Sequence, residues 1–252
     1  MMNSRRELFL EEMGLTPLWR LRERAAPAMQ DAPASAGQVS ASTEQVSADV
    51  DDRAARIARM NWPELKATVA ACAACPLRKT CKQTVFGVGD EQADWLLVGE
   101  APGAEEDARG EPFVGQAGRL LDSMLAGIGL KRGADVYIAN VLKCRPPGNR
   151  NPEPFEVAQC APHLIRQVEL IQPKLILAMG RFACQTLLDT DASIASLRGR
   201  LHGYQGVPLI VTYHPAYLLR NLPDKAKAWE DLCFARRTMA GLRSEASMQE
   251  AG

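Results

Sequence analysis

Two cysteine pairs, Cys72/Cys75 and Cys144/Cys160, constrain this chain more than any other feature of its sequence. The first is a C-x2-C turn inside C-A-A-C-P-L; the second is C-x15-C, opening at K-C-R-P-P-G-N-R. Side chains of a C-x2-C turn converge on one centre, and a distant second pair completes four sulfur ligands. That donor set suits a zinc ion or a cubane iron–sulfur cluster. Any fold must therefore bring two remote segments together. The total of seven cysteines is odd, which weighs against a disulfide framework. Cys81 extends the first pair to C-x2-C-x5-C and is the one competing ligand. Cys184 and Cys233 are expected on helices, as small buried side chains.

The pattern between and beyond the cysteines alternates. W-L-L-V-G (95–99), V-Y-I-A-N-V (136–141), L-I-L-A-M-G (175–180) and L-I-V-T-Y (209–213) are short continuous apolar runs, the pattern of strands buried on both faces. Helical segments over about 116–129, 153–172, 181–188 and 224–241 follow or separate them. Such alternation predicts an α/β fold: a three-layer α/β/α sandwich around a four-stranded parallel sheet. Ligands of such sheets sit beyond the carboxyl ends of the strands. The turns G-E-A-P-G, Asn140, G-R-F and Y-H-P-A all fall there.

Three regions are expected. Residues 1–54 form an N-terminal extension, with an amphipathic helix over 1–25 and a linker over 26–52 too poor in large apolar groups to offset its ordering entropy. Residues 55–243 form the catalytic domain, opening with a helix from Ala55 towards Ala71, and 244–252 a flexible tail. No apolar stretch reaches membrane-spanning length, and M-M-N-S-R-R-E lacks the apolar core of a signal peptide. A cytoplasmic protein is expected, working as a monomer without a membrane, in a compartment where thiols stay reduced. Formal net charge is zero, yet Lys143/Arg145/Arg150, Arg198/Arg200 and Arg220/Lys225/Lys227 form local basic clusters able to meet phosphates.

The turn G-E-A-P-G-A-E-E-D (99–107) lets backbone approach a ligand closely, but it is neither G-x-G-x-x-G nor a P-loop. No nucleotide cofactor is expected. Asn140, at a strand end, carries both a donor and an acceptor and can read the edge of a nucleobase. His214 precedes Pro215 at the end of the last strand, where an imidazole can donate to a developing oxyanion. His163 falls within a predicted helix and His202 in a loop, so His214 is the best placed of the three histidines. Phe113 can stack on a flat ligand or anchor its own loop.

These motifs together resemble the family 4 uracil-DNA glycosylases, the iron–sulfur branch of that superfamily. The match is carried by C-A-A-C-P-L (72–77), V-F-G-V-G-D (85–90), G-E-A-P-G-A-E-E-D (99–107), G-E-P-F-V-G (110–115), I-A-N-V-L-K-C-R-P-P-G-N-R-N-P (138–152), A-M-G-R-F-A (178–183) and Y-H-P-A-Y-L-L-R (213–220). The resemblance implies a 4Fe-4S cluster on Cys72, Cys75, Cys144 and Cys160. It implies a uracil pocket built from Glu100, Ala101, Glu106, Phe113, Asn140 and His214, acting on uracil-containing DNA. On that resemblance the uracil would flip out of the stack, its ring on Phe113 and its N3–H and O4 on the Asn140 amide, while His214 would stabilise charge at O2. Ala101 stands where other branches carry the aspartate of G-Q-D-P-Y, so no general base is evident and Glu100 is the nearest carboxylate. DNA contacts are expected from Arg145, Asn149 and Arg220. Leu218 or Leu219 is expected to wedge into the gap left by the flipped base, or else to pack under the final helix.

Two other readings differ in kind. A non-catalytic zinc module binding nucleic acid also uses four thiolates, although two short C-x2-C knuckles are its usual form. Relatives that become covalently trapped on uracil DNA carry a basic K-R-R-I-H loop, which this sequence lacks.

Overall fold

The structure, a computed structural model, describes residues 52–250. The expected helix over 1–25 and nearly all of the expected linker lie outside these residues. Residues 52–57 are helical, and α1 follows at Trp62–Ala70. The helix expected to run unbroken from Ala55 is thus two pieces, and Asn61 is the reason. Its side chain accepts the Glu64 N–H at 3.1 Å while the Glu64 carboxylate accepts the Asn61 N–H at 2.9 Å, a reciprocal cap that starts a new helix.

The chain continues through β1 (Val88–Gly89), β2 (Trp95–Gly99), α2 (Ala104–Arg109), α3 (Gln116–Gly127), β3 (Val136–Asn140) and α4 (Pro154–Ile171). It then forms β4 (Leu175–Met179), α5 (Arg181–Leu188), α6 (Ile194–Leu197), β5 (Leu201–Tyr204), β6 (Val207–Thr212), α7 (Pro215–Leu218) and α8 (Asp224–Glu250). All four expected strands are present, in the parallel order β3-β2-β4-β6. The sheet is nevertheless mixed and six-stranded, because β1 joins β3 and β5 joins β6, both antiparallel. Neither edge strand announces itself as an apolar run. β1 is two residues long, and β5 is a half-exposed L-H-G-Y turned back on β6 through Gln205 and Gly206, both at positive φ.

Alternation along the strands divides the core in two. Leu96, Val98, Tyr137, Ala139, Ile176, Ala178, Leu209 and Val211 point to one face, against Leu164 and Val168 of α4 and Cys184 and Leu187 of α5. Trp95, Leu97, Val136, Ile138, Leu175, Leu177 and Ile210 point to the other, against Leu121 and Leu125 of α3 and Leu232 and Met239 of α8. Helices therefore cover both faces. α8 runs on past 241 into the stretch expected as a tail, and Arg243 shows why: it donates to Asp94 at 2.8 Å and also pairs with Asp135 at the foot of the sheet. Among the described residues, no helix is long and apolar enough to cross a membrane.

The connection from β2 goes outward to β3, then returns across β2 to reach β4. That reversal opens a crevice above the carboxyl ends of β3, β2 and β4, and the site lies there.

Candidate active site

A cleft of about 880 Å³ opens over those strand ends. Six residues expected to hold the base line it: Glu100, Ala101, Glu106, Phe113, Asn140 and His214. Asn149 and Arg220 line it as well. Its other walls include Gly180 and Arg181 of the G-R-F turn, Tyr213 and Tyr217 from the motif around His214, and Ser193, which no sequence motif marked.

Asn140 ends β3 and is 2 % exposed, and its Oδ1 has no hydrogen-bond partner among the described residues. An unpaired amide oxygen in such a place costs about 1–3 kcal/mol, so a ligand that supplies an N–H recovers that energy. Beneath Asn140, Lys143 is fully buried and its Nζ donates to the Asn140 carbonyl at 2.9 Å and to Gln167 Oε1 at 2.6 Å. Burial lowers the Lys143 pKa to about 8, with the Cys160 thiol opposing the shift.

Phe113 reaches the same spot from the loop before α3. Its backbone is left-handed, φ 55°, a conformation that costs a non-glycine residue energy and needs support. Arg132 provides it, donating to the carbonyls of Pro112 at 2.9 Å and Phe113 at 2.8 Å. Glu106 adds to it, its Oε1 accepting the Val114 N–H at 3.0 Å and the Gly115 N–H at 3.2 Å. Glu106 thus faces the cleft while spending one oxygen on the loop that carries Phe113. Asp107, buried beside it, accepts the Lys82 N–H at 2.8 Å and ties α2 to the segment after the first cysteine pair.

The Phe113 ring stacks on His214 at 5.4 Å between centroids. His214 caps α7: its Nδ1 accepts the Ala216 N–H at 3.1 Å. A nitrogen that accepts carries no proton, so in the neutral ring the proton is on Nε2. Burial pushes the His214 pKa down to about 4, reinforced by Arg220 and opposed by Glu106, so the ring is neutral at physiological pH. Its place is set from behind. Thr212 donates to the buried Asp231 at 3.0 Å, and Asp231 pairs with Arg198 at 2.9 Å. Gly180 donates to the Thr212 carbonyl at 2.9 Å, and its φ of 93° and its missing side chain let it lie against the His214 Cβ. Burial raises the Glu100 pKa, with Arg181 opposing.

The expected DNA-contact residues separate. Asn149 lies at φ 55° on the cleft wall, and Arg145 donates to its Oδ1 at 2.7 Å without lining the cleft itself. Leu218 is 1 % exposed and packs with Tyr213 and Ala228, so as a wedge it is corrected: it is core, held under α8. Leu219, next to it, is 38 % exposed.

The four expected cysteine ligands border a second, smaller cavity, together with Leu77, Leu142, Lys143, Gln159 and His163. Burial raises the pKa of Cys160 to about 11 and pushes Cys75 and Cys144 up as well, neighbouring thiols adding to each. A bound cationic centre would relieve that shared cost of forming thiolates, so the donor set and its setting fit a metal group. Among the described residues no three His, Cys, Asp or Glu side chains are arranged to hold a single ion. A tetrahedral zinc site would need just that closeness, with bonds of about 2.3 Å to each sulfur. Cys81 does not line this cavity; its thiol donates to the Arg78 carbonyl at 3.8 Å, although it adjoins Cys144. Cys184 is buried as expected, whereas Cys233 is only partly buried.

Comparison with known proteins gives the family. The family described as the uracil DNA glycosylase superfamily matches residues 86–233. A type-4 uracil-DNA glycosylase of Archaeoglobus fulgidus is 49 % identical over 159 residues, 60 % of this chain and 79 % of that protein. One from Pyrobaculum aerophilum is 41 % identical over 183 residues, 69 % of this chain and 93 % of its own length. One from Thermotoga maritima is 46 % identical over 161 residues, covering 63 % and 83 %.

Proposed function

The chain belongs to the uracil DNA glycosylase superfamily, and from that membership and the cleft we propose that it is a type-4 uracil-DNA glycosylase. It flips uracil out of DNA and hydrolyses the N-glycosidic bond, leaving an abasic site for base excision repair. The observation that carries this reading is the buried, partnerless Asn140 Oδ1 in a cleft shared with Phe113 and His214.

A flipped uracil offers the complement. Its N3–H donates to Asn140 Oδ1 and its O4 accepts from the amide nitrogen. Cytosine has an acceptor at N3 and a donor at C4, and would leave both amide groups opposed. Phe113 stacks on the ring. As the glycosidic bond breaks, negative charge grows on uracil O2, and the His214 Nε2–H is the neutral donor that meets it. The sugar becomes oxocarbenium-like, and water completes the hydrolysis. Glu100 is the cleft carboxylate available to orient that water, its raised pKa being the direction a general base requires. Arg220 and Asn149, joined by Arg181 at the start of α5, meet the phosphates on either side.

Cys72, Cys75, Cys144 and Cys160 would hold the 4Fe-4S cluster. Bound there, the cluster supplies a structural tie between the segment after α1 and the 144–160 segment. No step of a hydrolysis needs a redox centre. The zinc-module reading is not favoured, since it leaves the base-shaped cleft unexplained. The protein works on DNA as a cytoplasmic monomer.

Cleavage of an oligonucleotide with a single uracil, followed by alkali, tests the activity. Strand scission at uracil, with cytosine and thymine controls intact, is expected together with turnover and release of free uracil. Absence of scission overturns the reading; a covalent protein–DNA adduct without turnover would place the protein among the trapping relatives.

A further inference from the structure

His163 is 1 % exposed on α4, yet the base pocket does not use it. It borders the cysteine cavity, three residues after Cys160 and so on the same helix face. Its Nε2 lies 2.9 Å from an Arg53 guanidinium nitrogen. Guanidinium has only donors, so Nε2 must be the acceptor of that bond. The ring is neutral, and its single proton is therefore on Nδ1. That Nδ1 is buried and has no partner among the described residues. A buried N–H donor without an acceptor keeps its full desolvation penalty. The side chains with acceptors around the cysteine cavity are the four cysteines, Gln159 and Thr84, and none of them takes this proton among the described residues, so the acceptor has to come with the group the four cysteines hold.

Two other donors already turn towards those sulfurs. Arg53 uses the same guanidinium on Cys72 Sγ at 3.7 Å, and anchors itself on the Gln159 carbonyl at 2.8 Å. The Lys143 N–H donates to Cys160 Sγ at 3.3 Å. Hydrogen bonds to sulfur lower the electron density that a thiolate-bound centre carries, raising its reduction potential and its resistance to loss of metal.

We infer that His163 is a second-layer hydrogen-bond donor to the sulfurs of the cysteine site, its Nδ1–H tautomer fixed by Arg53. This rests on the proposal that the four cysteines hold an iron–sulfur cluster. Arg53 thereby couples the helical segment at 52–57 to the metal site through two bonds, one direct and one through the imidazole. His163 is a positioning and tuning residue; it touches no substrate.

The test begins with the iron-loaded wild-type protein labelled with 15N histidine. The His163 ring should give the shift pattern of an Nδ1–H tautomer; an Nε2–H pattern overturns the inference. Iron release to a chelator and the cluster midpoint potential are then compared across variants. His163→Phe fills the volume without a donor and should lose iron about tenfold faster, with a lower potential. His163→Gln restores an N–H and should recover much of both. Equal release rates and potentials in wild type and His163→Phe would show that Nδ1–H ends elsewhere, and would overturn the inference while leaving the cluster in place. A colourless wild type without iron would instead overturn the cluster reading, and this one with it.

Discussion

Gly99 makes the room in which Asn140 works: a β-carbon at 99 would stand 2.5 Å from Asn140 Oδ1 and 2.6 Å from the Phe113 ring. The residue that ends β2 is thus the floor on which the Asn140 amide and the Phe113 ring meet. Gly99→Ala should push both aside. Misplacement of that size at a reacting site costs about 100-fold in rate. Single-turnover excision should fall by about that factor while iron content stays at the wild-type level. Unchanged excision would mean that uracil is not read over this floor.

Asn140 is predicted to decide which base is accepted. Asn140→Asp keeps the volume but removes the donor to O4, and should slow uracil excision by about 10²–10³-fold. The discriminating measurement is the ratio of uracil to cytosine excision, which should fall further than DNA binding does. A variant that lost binding and rate in equal proportion would point to a collapsed pocket.

His214 gives a pH prediction with a definite sign. Its folded pKa of about 4 lies below the ordinary 6.5. Between those values the unfolded chain holds a proton that the folded chain does not. The stability gained by keeping the ring neutral is therefore complete above pH 6.5 and is lost as pH falls towards 4. Protonation would also place a hydrogen on Nδ1, opposed to the Ala216 N–H. Denaturant titrations across that window should show wild type losing stability relative to His214→Gln. The single-turnover rate should show no inflection near 6.5 that His214→Gln abolishes; such an inflection would mean that the imidazole titrates freely.

The cysteine assignment separates by iron content. Cys144→Ser removes a thiol from the cavity wall and should yield protein depleted of iron, with weakened visible absorption. Cys81→Ser changes a side chain whose thiol is turned to the Arg78 carbonyl, and should retain both. The opposite result would transfer the fourth ligand to Cys81, which stands next to Cys144.

What could be read from the sequence followed from continuity and what could not followed from distance. Runs such as L-L-V and L-I-L-A-M declare buried parallel strands because each residue meets a covered face. β5 does not, since half its residues face outward, and its return through Gln205-Gly206 lacks the Asn-Gly or Asp-Gly of the commonest tight turns. The residues proposed to touch a base lie inside local motifs and are legible there as candidates. Their supports are not. Arg132 acts on Phe113 from beyond α3, and Asp231 acts on Thr212 from the last helix, pairings that only the tertiary fold creates. Gly99 stood inside a motif already noted, but its role appears only when the Cβ position is built against its neighbours.

Leu218 and Leu219 are adjacent in sequence and opposite in setting, which makes the wedge prediction sharper than the motif alone allowed. Leu218 is 1 % exposed beside Tyr213 and Ala228, so Leu218→Ala should cost about 2–5 kcal/mol of stability and reduce activity on every substrate alike. Leu219 is 38 % exposed, immediately before Arg220 on the cleft wall. Filling the gap left by a flipped nucleotide offsets a few kcal/mol of unstacking, a need that is smaller when the strand is already single. Leu219→Ala should therefore slow excision from duplex DNA more than from single-stranded DNA, with the melting temperature of the protein little changed. Arg220→Ala should weaken both substrates and flatten the salt dependence of binding, because a phosphate contact releases counterions wherever it is made. Equal losses for Leu219→Ala on the two substrates would remove it as the wedge and leave the more exposed Leu222 as the next side chain to test.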